Sequence, residues 1–93
     1  MGLRFEWDRE KAEGNLKRHG VTFSEASTVF NDPFSRTAPD TVHSIGEERF
    51  WTIGLSNEGR LIIVSHLDEE DVVRIISARA ASSHERRSYE EEQ

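Results

Sequence analysis

The chain predicts an α+β fold: a small antiparallel sheet meander, covered by two N-terminal helices and closed by a C-terminal helix. Three observations carry this reading. Residues 47 to 56, 60 to 67 and 72 to 79 are β-rich runs separated only by Asn57-Glu58-Gly59 and by Asp68 to Asp71, the spacing of hairpins. The first thirty residues hold two short helical patterns with their own start and stop signals. Ser82 followed three residues later by Glu85 is a capping box, so a last helix begins near residue 83 and runs to about 91.

Taken in order, Leu3, Phe5 and Trp7 alternate with Arg4 and Glu6, the period-two pattern of a short first strand. Asp8 suits an N-cap, and His19-Gly20 supplies a stop for a helix over residues 9 to 18. A second helix is expected from about 24 to 30, capped by Ser24, with Phe23, Ala26, Val29 and Phe30 as its apolar stripe and Asn31-Asp32-Pro33 as its end. From Phe34 to His43 short polar residues and Pro39-Asp40 allow only an edge strand and a loop. Gly59 fits the left-handed position of a three-residue hairpin loop. Helices one and two then cover one face of the sheet.

With 93 residues the chain is expected to form one domain, residues 1–93, that buries about two thirds of its unfolded surface. It has no cysteine, which excludes a disulfide framework and a thiolate metal site. No apolar run is long enough for a membrane span, and residues 1 to 20 alternate charge with hydrophobe, so a soluble, cytoplasmic protein is expected. Eighteen acidic and 12 basic side chains leave a net charge of −6, which on average repels nucleic acid. Seven of the acids fall in two blocks, Asp68 to Asp71 and Glu90 to Glu92, so a local basic site is still compatible with the total. Those blocks read either as solvated surface or as a means to repel RNA or attract a basic partner.

The run Val72-Val73-Arg74-Ile75-Ile76-Ser77-Ala78-Arg79 carries two arginines in an apolar strand. Each must reach a strand end, a partner or an open groove, because an unpaired buried guanidinium is very costly. If Ser56 pairs with Arg60 and Leu67 with Val72, counting places Arg60 opposite Arg79 on the face of Phe50, Ile62, Val64, His66, Ile75 and Ser77. Arg49 and Arg74 then fall on the other face. The facing pair Arg60/Arg79 suits an anion, or each arginine pairs with a nearby carboxylate such as Glu58 or Glu85. Asp8, Lys11, Asn15 and Arg18 or His19 lie along one side of helix one, either as a solvated face, as ties to neighbouring loops, or as part of a phosphate site. His19, at a helix end beside Gly20, is a capping residue or a proton carrier.

His43, His66 and His84 are scattered without metal-ligand spacing, so no metal site and no cofactor are expected. Arginines, one histidine and a tyrosine suit metal-free RNA cleavage, in which the ribose 2′-hydroxyl is the internal nucleophile and the protein moves protons and stabilises charge.

Phe5-Glu6-Trp7-Asp8-x-x-Lys11-x-x-x-Asn15-x-x-Arg18-His19-Gly20-Val21-x-Phe23-x-Glu25-Ala26, then Asp32-Pro33, Glu48-Arg49, Gly54 and Arg74-Ile75-Ile76-Ser77-Ala78-Arg79-x-Ala81 with Glu85-Arg86 and Tyr89, resemble the BrnT toxins nearly from end to end. The resemblance implies a RelE-like fold and a ribonuclease that arrests growth. It implies neutralisation by a BrnA-type antitoxin with a ribbon-helix-helix part, and contact with operator DNA only through that antitoxin. By analogy with RelE-like toxins, Arg79, Arg60 and Tyr89 are expected to contact the scissile phosphate. On the reading of the residues themselves, His19 is expected to move a proton, Lys11, Arg18, Arg49 and Arg74 to contact RNA or antitoxin, and Glu48 to hold Arg49. Two departures lower the expected RNA affinity: Leu67-Asp68-Glu69 stands where relatives often carry a threonine and a basic residue, and Ala80 replaces a frequent lysine or arginine. The competing reading is a non-catalytic binding module that acts as an antitoxin-dependent co-repressor.

Overall fold

A five-stranded sheet in the order β1-β5-β4-β3-β2 organises the protein, whose computed structural model describes residues 2–92. The strands are β1 (Arg4–Glu6), β2 (Arg36–Pro39), β3 (Phe50–Leu55), β4 (Leu61–Glu69) and β5 (Val72–Ala80). β3 to β5 form the expected antiparallel meander, β2 is an antiparallel edge strand beside β3, and β1 adds a parallel edge to β5, so the sheet is mixed. Helices α1 (Arg9–His19) and α2 (Phe23–Thr28) precede β2, and α3 (Ser83–Glu91) ends the chain. The α+β class is as expected from the sequence.

Local chemistry sets the element ends. The Asp8 carboxylate accepts the Lys11 N–H at 3.0 Å, and Gly20 at φ 70° closes α1 by donating its N–H to the Leu16 carbonyl. Thr22, not Ser24, caps α2 by accepting the Glu25 N–H at 3.0 Å. The helix therefore starts earlier than expected and passes into a 3-10 turn over Val29–Asn31. Gly59 takes φ 77° in the first hairpin, as expected, and the Ser82/Glu85 capping box is formed in full.

Val21, Phe23, Ala26 and Val29 pack on Ile62, Val64, Val73, Ile75 and Ala78 to make the main core on one face of the sheet. Phe5 and Trp7 extend it through Phe30 and Phe23, with ring centroids 5.2 and 5.9 Å apart. His66 is buried on the same face, with Nδ1 on Asp68 at 2.6 Å and Nε2 on Thr52 at 2.8 Å. Burial holds its pKa below the ordinary histidine value, against the pull of Asp68. On the opposite face Tyr89 of α3 packs on Ile53 and Leu61 in a smaller cluster.

The register of β4 with β5 differs from the expected one in two ways. β4 runs two residues further into the turn, to Glu69, which pairs with Val72, so the loop is only Glu70-Asp71, with Glu70 at φ 56°. Ile76 is then an extra residue in β5: Ile75 pairs with His66 while Ser77 pairs with Ser65. One inserted residue turns every later side chain to the other face. Val73 and Ile75 therefore point into the core, whereas Ser77 and Arg79 point to the open face. Arg79 stands opposite Ile63, and the expected Arg60/Arg79 facing pair does not form.

Candidate functional site

The bulge delivers Arg79 into an open groove of about 730 Å³. Its floor is the outward row Trp51, Ile53, Ile63, Ser65 and Ser77, and its walls come from the end of α1, β2, residues 40 to 49 and α3. Three arginines, Arg36, Arg49 and Arg79, and three histidines, His19, His43 and His84, meet there with two carboxylates, Asp40 and Glu85. With histidines counted as neutral, the lining residues carry one more positive than negative charge, which Glu92, paired with Arg36 from outside the lining, offsets.

Each arginine is held differently. Arg79 makes a fork to Glu85, at 2.8 and 2.9 Å, and its guanidinium pulls the Glu85 carboxyl down to about 2, well below the usual carboxylate range. Arg36 reaches Glu92 at 2.7 Å and keeps a buried Nε that has no hydrogen-bond partner among the described residues. Arg49 makes no ion pair among the described residues, and Glu48, expected to hold it, lines a different hollow. Arg49 is thus the groove cation with the least internal competition for an anion.

His19 ends α1, and the following backbone is tied down twice. Asn15, buried in α1, donates Nδ2 to the Val21 and Ala78 carbonyls at 2.9 Å each, and its Oδ1 accepts the Ala78 N–H at 3.0 Å. Arg60 donates to the Gly20 carbonyl at 3.0 Å. Asn15, first read as one member of a polar helix face, is the pin that sets the end of α1 against the strand position next to Arg79.

Arg60 itself lies away from the groove. Its Nε donates to Glu25 Oε2 at 2.9 Å and its Nη2 to Oε1, while the Ser56 hydroxyl donates to Oε2 at 2.7 Å. The Arg60 hydrogen bond is the main reason the buried Glu25 carboxyl stays below its ordinary pKa, against the upward push of burial. Tyr89 is 7% exposed and donates its hydroxyl to Asp32 Oδ2, anchoring α3. Burial alone would raise the Asp32 pKa, but this bond and the N–H groups of Leu55 and Phe34 hold it down. Lys11 and Arg18 are exposed on α1 and do not line the groove. Arg74 lies 3.9 Å from Glu6 in a separate hollow of about 280 Å³, together with Glu47, Glu48, Asp68 and Glu69.

Of the residues singled out in the sequence, the groove gathers Arg79, His19 and Arg49. It adds Arg36, His43 and His84, which spacing did not mark, because they come from three segments that only the fold brings together. Among the described residues no group of histidines and carboxylates is arranged to hold a metal ion, and no helix is long and apolar enough to cross a membrane.

An open sheet face with a groove lined by arginines and histidines offers donors to an anion, and the sequence comparison gives the class: residues 7–85 match the family model for the ribonuclease toxin, BrnT, of type II toxin-antitoxin systems. The chain belongs to this BrnT family, so it is a ribonuclease toxin of a type II toxin-antitoxin system. Among solved structures it resembles the crystal structure of the Brucella abortus ribonuclease toxin BrnT, with a TM-score of 0.67 over 87% of this chain and 99% of that one. At 23% identity that likeness speaks for the fold. No curated protein matches the chain.

Proposed function

We propose that the protein is a metal-independent endoribonuclease that cleaves RNA by attack of the ribose 2′-hydroxyl on the adjacent phosphorus, leaving a 2′,3′-cyclic phosphate and a 5′-hydroxyl. The observation that supports it is the convergence of Arg79, Arg49 and His19 in one groove. A phosphorane gains negative charge on its non-bridging oxygens, and preformed guanidinium donors stabilise that charge most. Arg79 binds the phosphate in exchange for part of its fork to Glu85, Arg49 binds it directly, and His19 takes the 2′-hydroxyl proton. Arg60 and Tyr89 are positioning residues: one fixes the backbone after His19, the other the helix carrying His84 and Glu85.

The toxin acts in the cytoplasm, and a BrnA-type ribbon-helix-helix antitoxin neutralises it and carries the contact to operator DNA. Lys11, Arg18 and Arg74, outside the groove, are available to antitoxin or to flanking RNA. The test is cleavage of a defined RNA by antitoxin-free protein in excess EDTA, wild type beside Arg79→Ala, with analysis of product ends. Cyclic-phosphate ends that vanish in the variant support the reading.

A second reading is favoured by the carboxylates already seated on Arg79 and Arg36. In it the groove only docks the antitoxin, and the protein serves as co-repressor. Wild-type protein that binds antitoxin but cleaves no RNA, with or without ribosomes, selects that reading.

A further inference from the structure

The segment from residue 40 to 49, which joins β2 to β3, is closed by its own hydrogen bonds. The Asp40 N–H donates to the Arg49 carbonyl at 2.8 Å, the Ser44 hydroxyl donates to the Asp40 carbonyl at 2.6 Å, and the Arg49 N–H donates to the Ser44 hydroxyl at 2.9 Å. This knot brings two groove residues, His43 and Arg49, to one rim.

The Asp40 carboxylate then fixes His43 twice. Oδ1 accepts its backbone N–H at 3.3 Å, and Oδ2 bonds the ring Nδ1 at 2.9 Å. A carboxylate on Nδ1 sets the tautomer and orientation of an imidazole and leaves Nε2 for the ligand, the relation found in acid–base dyads. His43 Nε2 has no hydrogen bond among the described residues, and the ring is largely exposed in the groove. The His43 hydrogen bond is also the chief cause of the lowered Asp40 pKa, which keeps that carboxylate charged and able to hold the ring.

The geometry points to the Asp40–His43 dyad as the general acid of RNA cleavage, with His43 catalytic and Asp40 positioning it. This rests on the ribonuclease reading above. In the step, the O2′–P bond forms as the 2′-hydroxyl proton passes to neutral His19, and the P–O5′ bond breaks as His43, starting as the imidazolium with Nδ1–H on Asp40, gives its Nε2 proton to the 5′-oxygen; solvent then carries a proton from His19 back to His43. Charge and atoms balance with no further reactant. His43 and His19 line the same groove from different segments, so separate groups are available for the entering and the leaving oxygen of an in-line displacement.

The experiment uses purified full-length toxin and two versions of one RNA with a mapped cleavage site, one natural and one with sulfur replacing the bridging 5′-oxygen. A thiolate leaves without a proton, so it relieves only a missing general acid. His43→Gln is expected to cleave the natural RNA about a hundredfold more slowly and the sulfur-bridged RNA within a few-fold of wild type. Asp40→Asn, which keeps the imidazole, is expected to show a smaller loss on the natural RNA and the same rescue. Equal loss on both substrates, or no loss on either, overturns the assignment while leaving the nuclease intact. Wild-type protein inactive on both substrates overturns the ribonuclease reading and this inference with it.

Discussion

Two glutamate–arginine clamps sit on opposite sides of the same sheet, and they do different work. Glu25 and Arg60 meet on the helix-covered side, where the Glu25 side chain is 3% exposed under an Arg60 side chain that is 43% exposed, and Glu25 also takes the Ser56 hydroxyl. Glu85 and Arg79 meet in the open groove with 28% and 47% of their side chains exposed. A buried clamp must stay closed, because breaking it strands a desolvated carboxylate. An exposed clamp can exchange one anion for another at little cost, since water solvates whichever carboxylate is released. The same residue pair is thus locked in one place and, on the reading proposed above, exchangeable in the other, and what separates the two is burial of the carboxylate, since Arg60 and Arg79 are 43% and 47% exposed.

The largest expected effect sharpens that contrast. Arg79→Ala should reduce RNA cleavage by about a hundredfold or more while leaving the circular dichroism spectrum and denaturation midpoint close to wild type. Arg60→Ala should show itself first as a lowered denaturation midpoint. Cleavage by Arg79→Ala within a factor of two of wild type would break the comparison. Deleting Ile76 tests the device that puts Arg79 in the groove: restored alternation turns Arg79 toward the helix side, and cleavage should fall by about as much as in Arg79→Ala. A deletion variant that folds and retains full activity would show that the bulge does not set the site.

Stability effects come next. Asn15→Ala removes three hydrogen bonds and leaves buried backbone groups at Val21 and Ala78 unpaired, a loss of about 2–4 kcal/mol measurable by urea denaturation. Gly54→Ala places a Cβ 2.8 Å from Val29 Cγ1 and 3.1 Å from the Val29 carbonyl oxygen, so the 3-10 turn must shift. About 1–3 kcal/mol of destabilisation is expected from that overpacking.

The smallest effect is that of pH on the open clamp. Glu85 is held near 2 in the fold against an ordinary value of 4.5, so the unfolded chain binds its proton first as pH falls. The contribution is full above about 4.5 and is lost as pH drops through about 2. In Glu85→Gln the stability-against-pH curve should be flatter across that window. Identical curves for the two proteins would mean that the clamp adds nothing to folding.

Much of this architecture is written in short-range pattern. Asp8, Gly20, Gly59 and the Ser82/Glu85 box act through neighbours within four residues, so they were readable from the chain alone. The family was legible for a related reason: its motifs are clustered near the two ends. The register of β5 was not legible, because Val72 to Ala80 is apolar enough on both faces that alternation does not reveal an inserted residue. The counted pairing therefore put Arg79 on the face it does not occupy, and Arg60 across from it. His43 and His84 had no local signal at all, since neither stands at a ligand or catalytic spacing from its neighbours.

By itself, then, the sequence determined the α+β class, the caps of α1 and α3, the first hairpin and membership of a ribonuclease toxin family, all of which depend on local backbone preferences or on runs of residue identity. Only the tertiary structure decided which arginine caps a buried glutamate and which lines the groove, and which histidines share that groove. Those outcomes turn on one bulge at Ile76 and on a loop knotted by Ser44, where a single residue of register or a single side-chain hydrogen bond redirects groups far apart in the chain.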